Sequence, residues 1–173
     1  LFSDTVKAPE LNTAVMILRD FSGSMMSKFE EEQKACLAIT EALSQIGIPT
    51  EVISFQNTSS LMGYSDKEWE IYNRFEPFVY TVYKHFDEDF RKIRTRFVSG
   101  FPGGNNADCE AIDFVAKRLR ARQEKRKILI VLSDGLPEAN VRSSAVLQKA
   151  TKNAIINAIK SGLEVIGIGV LHG

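Results

Sequence analysis

The chain has 173 residues, of which 44% are hydrophobic and 25% are charged, and its formal net charge is zero. These values are typical of one ordinary globular domain, and they favour neither nucleic acid nor a charged membrane surface as a partner. No apolar run approaches the roughly 20 residues of a membrane-spanning helix. With two cysteines and two histidines, the chain does not suggest a disulfide framework or a zinc site. A reducing, cytoplasmic compartment fits this composition.

Apolar and β-branched runs predict five strands along the chain. They lie at residues 14–18, 50–55, 78–83, 127–132 and 164–170. Helical spacing predicts helices at 27–47, capped by Ser27, at 87–98, capped by Asp87, and at 108–123 and 142–161. A further short helix could form over 66–72. Because strands and helices alternate, we expect an α/β fold: a doubly wound, mostly parallel central sheet flanked by helices.

The first strand leads into three oxygen-bearing side chains. Asp20, Ser22 and Ser24 follow the apolar run 14–18 at alternate positions. Alternate residues of an extended segment point to the same side, so these groups should converge at the carboxyl end of the strand. Oxygen ligands of this kind suit a hard cation, Mg²⁺ first, with Mn²⁺ or Ca²⁺ as alternatives. A capped turn before a helix is the plainer interpretation of the same residues.

The run Asp20-Phe21-Ser22-Gly23-Ser24-Met25 resembles the metal-ion-dependent adhesion site (MIDAS) of von Willebrand factor A (VWA) domains. The second apolar run, 128–132, ends in Ser133-Asp134-Gly135, which is similar to the second acidic position of that family. The loop 103–108 precedes a helix, and the family usually has a threonine there. This chain has Asn106 and Asp108 instead, so these are the candidates for the third metal loop. Asp108 could also simply cap the following helix.

Several segments resemble one branch of the family, the VWA domain in the T subunit of aerobic cobaltochelatase. They are 47–55, 82–84 with the arginine-rich segment after it, 106–111, 127–137 and 165–170. The resemblance covers most of the chain from about residue 12 onward. The chain opens without a methionine and stops soon after a strand, so we expect residues 1–173 to be a single VWA-like domain of a longer protein.

The resemblance implies a site in which Ser22 and Ser24 bind the metal directly and the aspartates often act through water. It also implies an open coordination position, which a partner's carboxylate can fill. Asp20, Ser22, Ser24 and Asp134 would then form the partner-binding face. In the resembled complex the T subunit works with an AAA+ ATPase, and a third, large subunit inserts cobalt. The domain itself would have no catalytic residue, and the chain has no Gly-x-x-x-x-Gly-Lys-Ser/Thr phosphate loop.

Three other functions are compatible with parts of the pattern. A VWA partner of a different AAA+ remodelling system, unrelated to cobalamin, would use the same site. A Mg²⁺-dependent hydrolase with an aspartate nucleophile would need an acid/base two residues after Asp20, where Ser22 is a poor one. An extracellular adhesion role fits less well, because the chain shows no disulfide pattern.

Two further stretches have plain interpretations that we prefer. The basic run 117–127 fits the carboxyl end of a helix, where cations complement the helix dipole, better than a nucleic-acid surface. The aromatic residues between 64 and 101 could form a partner surface, but side chains of this kind more often pack an insertion onto the sheet.

Overall fold

A computed structural model describes residues 12–57, 78–135 and 144–170. Its five strands are β1 (Thr13–Asp20), β2 (Thr50–Asn57), β3 (Phe78–Lys84), β4 (Arg126–Ser133) and β5 (Glu164–Gly169). They form one sheet in the order β3-β2-β1-β4-β5. All neighbours are parallel except β2 and β3. The predicted α/β fold with a mostly parallel central sheet is confirmed, while the short helix expected near 66–72 lies outside the described residues.

Four α-helices accompany the sheet in the described part of the chain. They are α1 (Phe29–Gln45), α2 (Phe90–Ile93), α3 (Asp108–Arg120) and α4 (Ser144–Lys160). Two 3-10 helices, Gly23–Lys28 and Arg94–Val98, precede α1 and follow α2. Each α-helix apart from α2 spans 13 or 17 residues and turns an apolar stripe toward the sheet.

Two of the predicted helix starts are wrong. Ser27 does not cap α1, because it lies inside the 3-10 helix that runs directly into α1, and Lys28 occupies the cap position. The helix predicted over 87–98 is only four residues long before it tightens into a 3-10 helix. Its cap is Asp89, whose carboxylate accepts a hydrogen bond from the Arg91 amide at 3.0 Å. The short sequence Asp87–Asp89 offers more than one acid, and the pattern alone selects the wrong one.

Strand β1 is buried along its whole length because it has hydrogen-bonded neighbours on both edges and packed layers on both faces. Met16 and Leu18 belong to the core beneath α3 and α4, while Val15 and Ile17 belong to the core on the opposite face. The two cysteines are buried in different clusters, Cys36 with the second core and Cys109 with the first.

The pairing of β1 with β4 positions the site. The two strands run parallel, with Arg19 opposite Leu132, so that Asp20 and Ser133 end side by side. The chain leaves β1 toward β2 on one side, and the later strands β4 and β5 add on the other. Ligands of doubly wound sheets bind at such a reversal of strand order, beyond the carboxyl ends of the strands. Strands β1 and β4 are neighbours at this point.

None of the helices in the described residues has both the length and the apolar character needed to cross a membrane.

Candidate metal centre

Asp20 is the buried centre of the site and is held by three hydrogen bonds from the protein. Its side chain is fully buried. The Ser22 amide donates to Oδ1 at 2.8 Å, while Ser133 Oγ and Asn106 Nδ2 donate to Oδ2 at 2.9 and 3.1 Å. Burial is the largest influence on this carboxyl and raises its pKa above the ordinary value. Because both oxygens already accept protein donors, Asp20 is suited to orient the loop and to bind a cation through water.

Ser22 and Ser24 present two neutral oxygens side by side. Their hydroxyl oxygens are 3.1 Å apart and share a hydrogen bond. The backbone at Ser22 is extended, as predicted, but Gly23 and Ser24 already belong to the 3-10 helix Gly23–Lys28, so the extended segment expected to reach Ser24 is wrong. The first turn of that helix brings the Ser24 hydroxyl to Ser22 instead. Ser22 is buried, whereas Ser24 is exposed. The pair therefore lies at the boundary between the buried carboxylate and the solvent.

Asp108 is the first residue of α3, and a shared hydrogen-bond donor, the side-chain amide of Asn106, links it to Asp20. The Asn106 amide group donates to Asp20 Oδ2 at 3.1 Å and to Asp108 Oδ1 at 3.2 Å. Asp108 does not occupy the cap position, which belongs to Ala107. Burial, together with the charges of Asp20 and Asp134, raises the pKa of Asp108 to about 8. Asn106 thus acts as a bridge between two carboxyl groups, and of the two candidates from this loop Asp108 carries the site-facing acid.

Asp134 directly follows β4 and is held by a lysine. Lys28 Nζ donates to Asp134 Oδ2 at 3.1 Å, with the side chains 15% and 9% exposed. The other oxygen, Oδ1, is buried and has no hydrogen-bond partner in the described structure. A buried carboxylate oxygen without a donor is costly unless a cation or an ordered water satisfies it.

The donor set fits a hard divalent cation. Among residues 12–57, 78–135 and 144–170, no three His, Cys, Asp or Glu side chains are grouped closely enough to hold a metal ion by themselves. A centre here would therefore need further oxygen ligands, and the hydroxyls of Ser22 and Ser24 are candidates beside Asp20. Mg²⁺ binds oxygen at 2.0–2.1 Å in octahedral geometry, so adjacent ligands lie about 3.0 Å apart, against about 3.3 Å or more for Ca²⁺. The separation of 3.1 Å between Ser22 Oγ and Ser24 Oγ is that of a hydrogen bond between the two hydroxyls, and it is compatible with two adjacent ligands of such an ion.

Two residues of this site were missed from the sequence. Ser133 Oγ donates to Asp20 and accepts a hydrogen bond from the Gly135 amide at 3.1 Å, so it joins the ends of β1 and β4. Its position at the end of an apolar strand, opposite the end of β1, could have indicated this role. Lys28 lies 106 residues before Asp134 in the chain. No local pattern connects them.

A cavity of about 520 Å³ opens beside the site, between β4, β5, α3 and α4. Its lining includes Asp108 and Ser133 at one end and is otherwise mostly apolar, with Ile112, Val131 and Ile155 among the contributors. Neither Asp20 nor Ser22 lines it. Asp20, the nucleophile that a hydrolase of the kind considered above would use, is fully buried and does not line this cavity.

Three of the seven basic side chains in the run 117–127 form ion pairs in the described structure. Arg118 binds the buried Glu51 at 2.7 Å, Arg122 binds Glu124 at 2.6 Å and Arg126 binds Glu164 at 2.7 Å. These contacts give the run a structural role within the domain.

The aromatic residues that the structure describes between 78 and 97 mostly pack inward. Tyr83, Phe90 and Phe97 are buried, and Phe78 and Tyr80 pack against the core, whereas Phe101 is 69% exposed. The aromatic residues between 64 and 75 lie outside the described residues.

Comparison with known families agrees with this architecture. Residues 2–173 match the family described as the VWA domain of the cobalamin biosynthesis protein CobT. The chain belongs to this family. The five-stranded, mostly parallel sheet described above is consistent with the VWA fold.

The individual relatives and solved structures that match this chain support its fold. The protein YojO of Bacillus subtilis, described as uncharacterized, is 27% identical over 161 residues, which cover 92% of this chain and 24% of YojO. The chain therefore spans about a quarter of the length of that relative. Among solved structures, the pilus adhesin SpaC of Lactobacillus rhamnosus GG matches with a TM-score of 0.64 at 15% identity, over 91% of this chain and 24% of SpaC. The SpRpn10 VWA domain matches with a TM-score of 0.50 at 14% identity, over 93% and 90% of the two chains.

Proposed function

We propose that this CobT-type VWA domain is a divalent-cation-dependent docking module that binds an acidic side chain of a partner protein. The observation that carries the proposal is the division of roles among its oxygens. Both oxygens of Asp20 accept hydrogen bonds from protein donors, Ser22 and Ser24 offer neutral oxygens 3.1 Å apart, and Asp134 keeps one buried oxygen without a donor.

The residues present would hold Mg²⁺ or Mn²⁺ with little negative charge in direct contact. Ser22 and Ser24 are neutral ligands, and Asp20 is suited to contact through water. Asp108 and Asp134 supply acidic groups nearby. A bound cation would supply positive charge and an open coordination position, which a carboxylate from a partner can fill. Such a contact is directional, and it gives specificity while the surrounding surface gives area.

The partner that we propose is the AAA+ ATPase of a cobalt-chelatase-type complex in cobalamin biosynthesis. The membership in the CobT VWA family supports this choice. The large chelatase subunit is a second candidate partner. The domain's own role in such a complex would be non-catalytic, because Asp20 is fully buried and does not line the adjoining cavity.

The proposal predicts that capture of the ATPase depends on both the cation and Asp134. In a pull-down of the co-encoded AAA+ ATPase, the wild-type protein should recover it with Mg²⁺ and lose most of it in EDTA. Asp134→Asn should recover little in either condition, because the substitution removes a carboxylate from the site. Asp113→Asn is the matched control, since Asp113 is an exposed aspartate on α3, and it should behave as wild type.

Equal recovery by all three proteins, with and without Mg²⁺, would contradict the proposal. If the captured AAA+ ATPase is encoded beside genes unrelated to cobalamin, the docking mechanism would stand, but the complex would be a different AAA+ remodelling system.

A further inference from the structure

Lys28 places a positive charge at the edge of the candidate metal centre. It is the last residue of the 3-10 helix Gly23–Lys28, which begins directly after Ser22. Its ammonium group reaches Asp134, at the end of β4, and donates to Oδ2 at 3.1 Å. With side chains 15% and 9% exposed, the ion pair is mostly sheltered from water, so solvent screens it less than a surface pair.

Asp134 is one of three acids at this site. The other two, Asp20 and Asp108, both accept hydrogen bonds from the side-chain amide of Asn106, at 3.1 and 3.2 Å. Among the described residues, Lys28 is the cationic side chain that forms an ion pair with any of the three. A divalent cation entering this group would be attracted by the same carboxylates that Lys28 partly neutralises.

We propose that Lys28 weakens divalent-cation binding at this site, because its ammonium group competes with the cation for Asp134. The inference rests on the metal centre proposed above and adds an internal competitor to it. The lysine charge opposes the cation, since both are positive and share one acid. A partner's carboxylate reduces the repulsion between the lysine and the bound cation, because its negative charge attracts both of them. Cation binding and docking of the acid therefore strengthen each other, and the coupling is reciprocal.

A merely structural role for Lys28 predicts the opposite result. If the lysine only holds Asp134 in a useful orientation, its removal would disorder that ligand and weaken cation binding. If the lysine competes, its removal leaves Asp134 free for the cation and strengthens binding. The sign of the change in affinity separates the two roles.

The experiment is a titration of the wild-type protein, Lys28→Met and Lys28→Arg with Mn²⁺, with free Mn²⁺ followed by electron paramagnetic resonance. We expect Lys28→Met to bind Mn²⁺ about threefold or more tightly at low ionic strength, and the gain to shrink as salt is added. Lys28→Arg keeps the charge and should stay within roughly twofold of wild type. Lys34→Met is the matched control, because Lys34 is 69% exposed and pairs with the exposed Glu30 on α1.

The outcomes distinguish this inference from the function on which it rests. Equal or weaker Mn²⁺ binding by Lys28→Met, with wild type binding normally, would overturn the role of Lys28 and leave the metal centre intact. No binding by wild type, Lys28→Met or a second variant, Lys28→Gln, would overturn both. Circular dichroism of each variant checks that the fold is kept, and the glutamine variant serves if methionine disturbs it.

Discussion

Replacing Glu32 with glutamine is expected to destabilise the domain by about 3–5 kcal/mol, because it breaks a buried ion pair while leaving one charge behind. Arg19 Nε and Nη2 donate to the two oxygens of Glu32 at 2.8 and 2.7 Å, and both side chains are fully buried. The guanidinium lies 4.7 Å from the centre of the Phe21 ring and 4.6 Å from that of Tyr83. With Glu32 neutral, Arg19 would remain charged in this aromatic surrounding.

The pair also connects the two elements that flank the loop of the candidate metal centre. Arg19 directly precedes Asp20 on β1, and Glu32 is in the first turn of α1, so their contact joins the two ends of the segment that carries Ser22, Ser24 and Lys28. Urea denaturation followed by circular dichroism measures the loss of stability. Glu30→Gln is the control, since Glu30 lies on the same turn and its pair with Lys34 is exposed, and it should change stability little. Similar midpoints for the two variants would argue against the importance of the Arg19–Glu32 pair.

Substituting Gly104 with alanine is expected to destabilise the domain by roughly 3 kcal/mol or more, since two separate effects add. Gly104 has a φ of +71°, which a residue with a side chain adopts at a cost. A Cβ at this position would also meet the backbone oxygen of Asn57 closer than van der Waals contact allows. The loop cannot move away easily, because Gly104 accepts a hydrogen bond from the Gly23 amide at 2.9 Å.

Gly47→Ala isolates the first of these effects. Gly47 has a φ of +75° after the end of α1, but nothing lies within 4 Å of where its Cβ would be. We expect about 1–2 kcal/mol of destabilisation there, from the backbone alone. Thermal denaturation of both variants gives the comparison. If Gly104→Ala were no less stable than Gly47→Ala, the close approach between the Gly104 loop and the end of β2 would not be a real constraint.

Much of the site could be predicted because its residues follow strands that are obvious from composition. The runs before Asp20 and Asp134 are apolar without alternation, which indicates strands buried on both faces. Parallel strands in such a sheet place their carboxyl ends at one edge, so the two acids could be expected to meet there. The extended backbone that this prediction assumed continues only as far as Ser22, and Ser24 reaches Ser22 Oγ from the first turn of a 3-10 helix, which the alternation did not predict.

The contacts that sequence reasoning missed join residues far apart in the chain. Lys28 and Asp134 are separated by 106 positions in the sequence. Asn106 and Asp20, which are joined by a hydrogen bond, are separated by 86 positions. Nothing local to either partner indicates these distances. Arg19 is different, because a single arginine inside an apolar strand requires a buried counter-ion. The identity of that acid could not be read from the sequence, since three consecutive glutamates, 30–32, begin α1 and only the third faces inward.

The central claim is that Ser22 and Ser24 hold a divalent cation at the carboxyl end of β1. Isothermal titration calorimetry with Mg²⁺ tests it directly on the wild-type protein and on Ser22→Ala/Ser24→Ala. Ser44→Ala is the matched control, because this serine lies at the opposite end of α1 from the site. We predict one Mg²⁺ per chain for wild type and Ser44→Ala, and no saturable binding for the double variant. Undiminished Mg²⁺ binding by Ser22→Ala/Ser24→Ala, or none by wild type, would contradict the claim.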